Sequence, residues 1–165
     1  MMLHICSDKS GSSLTNVQDG DVQPNAVDLR IDKIFSISND IFTINEQEKK
    51  HRKTTELTPD ENGDFYLIPG TYEIVMENVV TIGEGEAGWV ITRSTLNRNG
   101  VFITSGLYDS GYNGVMAGAM HVKCGPVRIR RGTRVGQFLL FKSETLKLYS
   151  GDYGIGKEHD KKYGV

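Results

Sequence analysis

Residues 65–92 read FYLIPGTYEIVMENVVTIGEGEAGWVIT. A short apolar run, FYLI, is broken by Pro69-Gly70, and TYEIVME then alternates apolar and polar side chains. VVTI follows, a glycine-rich turn GEGEAG, and WVIT. Alternation with a period of two places successive side chains on opposite faces of an extended chain, the pattern of half-buried strands separated by turns. Upstream, AVDLRIDKIFSI sets Val27, Leu29 and Ile31 against Asp28, Arg30 and Asp32 in the same rhythm. Downstream, VFIT, GVMAGAMHV, VRIR and VGQFLLF continue it. One helical interruption is expected in RSTLNRNG, with Ser94 as N-cap, Leu96 as its apolar contact and Gly100 as a left-handed stop. The fold class is therefore all-β with one short helix.

The chain has 165 residues, 38% hydrophobic and 24% charged, with 19 Lys+Arg against 21 Asp+Glu and a net charge of −2. That size suits one domain, assigned to residues 1–149 with a polar insertion at about 45–64. Residues 150–165 form a glycine-rich tail with little to bury, expected to be a flexible arm. The polar first 25 residues are expected to be a partly ordered lead-in. A near-neutral charge balance argues against a protein that grips a long nucleic-acid backbone, which needs an excess of Lys and Arg, so no nucleic-acid partner is expected. No apolar run approaches the ~18 residues that cross a bilayer, and the N-terminus lacks a signal pattern, so no membrane partner and a cytoplasmic location are expected. Cys6 and Cys124 are read as reduced thiols.

Three stretches carry chemistry. In ITSGLYDSGYNG, Asp109 sits among small turn-forming residues between two strands. In TRSTLNRNG, Arg93 and Ser94 stand at a helix start, where a guanidinium and unpaired N–H groups suit an anion. In RIRRGTRVGQFLLF, Gln137 is a neutral amide inside an apolar strand and needs a specified hydrogen-bond partner. Arg128, Arg130 and Arg131 fit a solvated face. The tail has the spacing of a phosphate-binding loop from Gly151 to Gly156-Lys157. Glu158 replaces the required Ser/Thr, however, and no long helix follows. The four histidines show no ligand spacing, which excludes a zinc mechanism.

In order, PNAVDLR, TRSTLNRNG, GLYDSGYNG and RRGTRVGQFLL resemble the dUTPase and dCTP deaminase superfamily, over roughly Pro24 to Phe141. The resemblance implies a β-clip, a distorted barrel, working as a homotrimer whose active sites combine neighbouring subunits. It implies hydrolysis of dUTP to dUMP and pyrophosphate, with Mg²⁺ held by the triphosphate and waters and no metal ligand from the protein. Carried over by position, Asp109 is the general base and Tyr112 lies beneath the deoxyribose. Arg93, Ser94, Thr95 and Gln137 contact phosphates, and Asp28 is a supporting acidic residue. Tyr153, Gly154, Gly156 and Lys157 belong to an arm that closes over the substrate.

The deaminases place a catalytic glutamate at the position of Ala119, which has no group to move a proton. Pyrophosphate release is thereby favoured over deamination. The alternatives are a dCTP deaminase, a pyrophosphatase for dCTP or a modified pyrimidine triphosphate, and a non-catalytic nucleotide-binding or structural trimer.

Overall fold

The computed structural model describes residues 1–165. Two short strands, β1 (Met2–Leu3) and β2 (Ser13–Leu14), precede the long β3 (Val27–Ile37). The polar insertion contains β4 (Thr43–Ile44), β5 (Lys49–Lys50) and β6 (Thr54–Glu56), and is followed by β7 (Asp64–Leu67), β8 (Gly70–Thr81) and β9 (Glu86–Thr92). Helix α1 (Ser94–Arg98) leads into β10 (Val101–Thr104), β11 (Asn113–Val122), β12 (Val127–Arg130) and β13 (Arg134–Lys142). A 3₁₀ helix, Glu158–Tyr163, lies near the C-terminus. No helix is long and apolar enough to cross a membrane.

The main sheet runs β1-β13-β3-β8-β11-β10, with β9 added on β13, β2 on β8 and β6 on β3. All of its pairings are antiparallel. Because antiparallel partners share a face, the alternating apolar residues of β3, β8, β11 and β13 converge on one core. Leu29, Ile31, Ile34, Ile74, Met120 and Leu140 are fully buried there. TYEIVME and VVTI, which looked like separate runs, form the single strand β8.

The lead-in is part of the sheet. Met2 and Leu3 pair with Phe141 and Leu140, and Leu3 and Ile5 join the core. The buried carboxylate of Glu86 holds the following turn by accepting from the Gly11 N–H at 2.9 Å and from the Ser12 hydroxyl. Sequence polarity concealed this anchor because the partner lies more than seventy residues away. The helix also starts one residue earlier than the expected Ser94 cap implies. The Arg93 N–H donates to Val135 O at 3.1 Å, so Arg93 stays extended and is itself the N-cap, with no side-chain cap, while Ser94 opens the helix. Gly100, at φ +71°, ends it as expected.

A second, smaller apolar cluster lies on the outer face of the β3–β8–β11 sheet. Phe35, Val75 and Val115 are covered there by Tyr163 and Val165 from the tail. The segment expected to be a flexible arm is thus packed back on its own chain, with Gly154, Asp160 and Tyr163 buried.

Candidate active site

Three of the residues singled out in sequence meet at one point. The β3–β13 register puts Asp28 opposite Gln137, and Arg93 emerges just beyond the end of β9, which flanks β13 on its other side. Asp28 has no exposed surface. Its Oδ1 accepts from Gln137 Nε2 at 3.1 Å, and its Oδ2 lies 3.3 Å from Arg93 Nε and 3.4 Å from Arg134 Nη1. Arg93 Nη1 also donates to Arg134 O at 3.3 Å. Two guanidiniums against one carboxylate leave a net positive charge, and both arginine side chains keep about a third of their surface in solvent, 30% and 35%. Such a group, preorganised by a buried acid, is suited to an anion. Ser94 and Thr95 are exposed beside it at the start of α1.

Arg134 escaped sequence reasoning, although it stands three residues before Gln137. The arginines that drew attention there are spent elsewhere. Arg130 pairs with Asp64 at 2.8 Å and Arg131 with Asp32, while Arg128 is exposed.

Asp109 lies at the other end of β9. Tyr108 and Gly88 exchange backbone hydrogen bonds at 2.8 and 3.0 Å, and Gly111 N–H donates to Ile82 O at 2.9 Å. The Ser110 hydroxyl donates to Glu86 O at 2.6 Å and also bonds Thr145 Oγ1 at 2.7 Å. The turn is therefore fixed on both sides while the Asp109 side chain stays exposed. It lines a cavity of about 360 Å³ closed by residues 143–151.

Adjoining it, and sharing Leu107, Tyr149 and Gly151, is a cavity of about 570 Å³. That volume lies within the usual range for small-molecule sites. One wall is Tyr112, 6% exposed, whose hydroxyl donates to Val115 O at 2.8 Å. Burial pushes that phenol well above its ordinary value, so it stays protonated and acts as an apolar wall. Tyr149 meets it edge-on at 5.3 Å between ring centroids.

The tail supplies the opposite wall. Gly154, at φ +123°, passes so close to β11 that a Cβ on Gly114 would stand 2.7 Å from its Cα. Ile155 N–H donates to Asn113 O at 3.0 Å, and the Gly154 N–H donates to the buried Asp160 at 2.6 Å. Tyr153 packs against His159, while Gly156 and Lys157 are exposed. From Gly88, beside the Asp109 turn, to Arg93 is five strand residues, roughly 16 Å at ~3.3 Å each. The Asp109 turn and the Arg93–Arg134 pair of one chain therefore lie at opposite ends of β9.

Residues 4–143 match the family model described as dCTP deaminase-like. The chain belongs to this dCTP deaminase-like family. Within it, a probable deoxyuridine 5'-triphosphate nucleotidohydrolase from Halobacterium salinarum is 33% identical over 146 residues, 83% of this chain and 85% of that protein. One from Aeropyrum pernix is 33% identical over 81% of this chain and 85% of that protein. A dCTP deaminase, dUMP-forming, from Parafrankia sp. is 32% identical over 77% of this chain and 66% of that protein. Among solved structures, the 2'-deoxycytidine 5'-triphosphate deaminase of Agrobacterium tumefaciens superposes with a TM-score of 0.62 at 17% identity, over 84% of this chain and 44% of that longer one. The dUTPase of Staphylococcus bacteriophage 80alpha superposes with a TM-score of 0.52 at 15% identity, over 86% and 97%. Both carry the family fold.

Proposed function

We propose that this chain is a dUTP pyrophosphatase that hydrolyses dUTP to dUMP and pyrophosphate. The observation that carries the choice within the family is Ala119. It sits on β11 between Thr104 and Glu73, at the position where the resemblance puts the deaminase glutamate. The archaeal relatives named as deoxyuridine triphosphate nucleotidohydrolases point the same way.

In this reading the base and sugar occupy the larger cavity against Tyr112. Asp109, exposed in the adjoining smaller cavity on a turn anchored on both sides, accepts the proton of the water that attacks the α-phosphorus. Arg93, Arg134 and Gln137 bind the phosphate chain, with Ser94 and Thr95 beside them, and stabilise the leaving pyrophosphate through charge-assisted hydrogen bonds. Asp28 is committed to Gln137 and the two arginines. That commitment suits a magnesium ion whose ligands are triphosphate oxygens and waters. Bound in that way, Mg²⁺ would offset phosphate charge. Tyr153, Gly154, Gly156 and Lys157 close the site by excluding water.

The roughly 16 Å along β9 from Gly88, beside the Asp109 turn, to Arg93 in one chain supports a site shared between copies. The outer faces of β9 and β13 supply a surface for such an assembly. Trp89, 40% exposed, stacks on Phe141 at 4.8 Å, and Ile91 and Met2 lie on the same side as Gln137. An apolar patch adjoining those guanidiniums suits a seam between copies, which in this reading is that of a homotrimer.

Incubation with dUTP, dCTP, dTTP and UTP, with Mg²⁺ or EDTA, followed by ion-exchange separation, tests the reading. Magnesium-dependent dUMP from dUTP is expected, and Asp109→Asn should lower turnover by at least about 10²-fold. A deaminated product from dCTP, or near-native turnover by Asp109→Asn, would overturn it.

A further inference from the structure

The Asp109 cavity is lined by a cation that the mechanism above leaves unused. Lys147 borders it, and no other lysine or arginine lines this cavity or the larger one beside it. The lysine ion pairs of the chain involve Lys33, Lys49, Lys161 and Lys162, whereas Lys147 is exposed and unpaired. Asp109 and Glu144 line the same cavity. Two carboxylates against one ammonium repel an incoming phosphate, and that ammonium is the one side chain there that attracts it.

The backbone keeps Lys147 beside the Asp109 turn. Ser110, the residue after Asp109, is buried and holds the segment that follows β13 at two points. Its hydroxyl bonds Thr145 Oγ1 at 2.7 Å, and its carbonyl accepts the Tyr149 N–H at 2.8 Å. Lys147 stands midway, two residues from each anchor. Leu148 packs over Gly111, where a Cβ would stand 3.2 Å from the Leu148 Cβ. A five-residue bow tied at both ends to the neighbour of the base holds its central residue there. The guanidiniums of Arg93 and Arg134 in the same chain meet at Asp28, beyond the far end of β9.

We propose that Lys147 binds the α-phosphate of the nucleotide and is a catalytic residue of this site. The proposal rests on the dUTP reading and deepens it, because water directed by Asp109 must meet the α-phosphorus in the cavity that Lys147 lines. As the water oxygen bonds to phosphorus, Asp109 takes its proton, the bond to the bridging oxygen breaks, and pyrophosphate leaves with the electron pair. The Lys147 ammonium donates to a non-bridging α-oxygen throughout and keeps its own proton. It thereby draws electron density from phosphorus and offsets the repulsion between the phosphate and the two carboxylates.

The test compares dUTP turnover, with Mg²⁺, by the native chain, Lys147→Met and Lys147→Arg. Methionine keeps the apolar stem and removes the charge, so Lys147→Met should lower kcat at least about tenfold. Lys147→Arg restores the charge and should keep most of the rate. Both variants should melt at the native temperature, since the side chain is exposed and unpaired. A native kcat in Lys147→Met would overturn the proposal. Equal losses in the two variants would overturn it too, because the charge would then not be what matters. If the native chain releases no dUMP from dUTP, the dUTP reading itself falls, a result distinct from a native rate kept without Lys147.

Discussion

Asp28 illustrates how much of this site depends on a residue that never meets solvent. Its two oxygens receive Gln137, Arg93 and Arg134, and these contacts orient the donors that, in the proposed function, meet phosphate. Asp28→Asn keeps the shape but removes the charge that separates the two guanidiniums. It should cost about 2 kcal/mol in a urea titration and raise KM for dUTP more than it lowers kcat. The sequence exposed Asp28, Arg93 and Gln137 as members of three motifs, 65 and 44 positions apart. It did not show that they touch. Arg134 was overlooked because one arginine among several in RIRRGTR has no distinguishing letter, and only the register separates it from Arg130 and Arg131, which pair with Asp64 and Asp32.

At the scale of elements, the polar insertion and the tail explain each other. Lys49 pairs with Asp152, His51 lies 4.8 Å from His159 between ring centroids, and Lys162 reaches Thr54 at 3.4 Å. Both segments look unstructured in sequence because each is almost without apolar residues, and Tyr163 and Val165 find cover only on the far face of the sheet. Burial lowers the His51 imidazole below its ordinary value, and His159, Lys49 and Lys162 add to this, partly opposed by Glu73. A base lowered on docking binds its proton less well in the docked state than in the free one. The contribution to docking is therefore complete above about pH 6.5 and is lost as the pH falls through the docked value. Proteolysis of residues 150–165 should accelerate severalfold between pH 7.5 and pH 5, and His51→Gln should flatten that dependence. A pH-independent rate in the native chain would show that the two histidines do not govern docking.

For the whole molecule, the proposed trimer reconciles a base at one end of β9 with an anion-binding group at the other. A charge at the centre of the apolar patch should prevent that union without touching the core. Trp89→Glu is expected to elute as a monomer in light scattering, against three chains of 18.3 kDa for the native protein, and to lose nearly all dUTP turnover. Asp109→Asn should remain assembled, which separates loss of the base from loss of the seam.

The sequence by itself determined the strand content and the identity of the chemical groups. Side-chain alternation is a local property with a period of two, and the four ordered motifs preserve residue types that the chemistry requires. The tertiary structure decided which of those groups share a site. Strand register is set by long-range pairing, so it alone could seat Arg134 on Asp28, place Glu73 across from Ala119, and carry Asp109 and Arg93 to opposite ends of one strand.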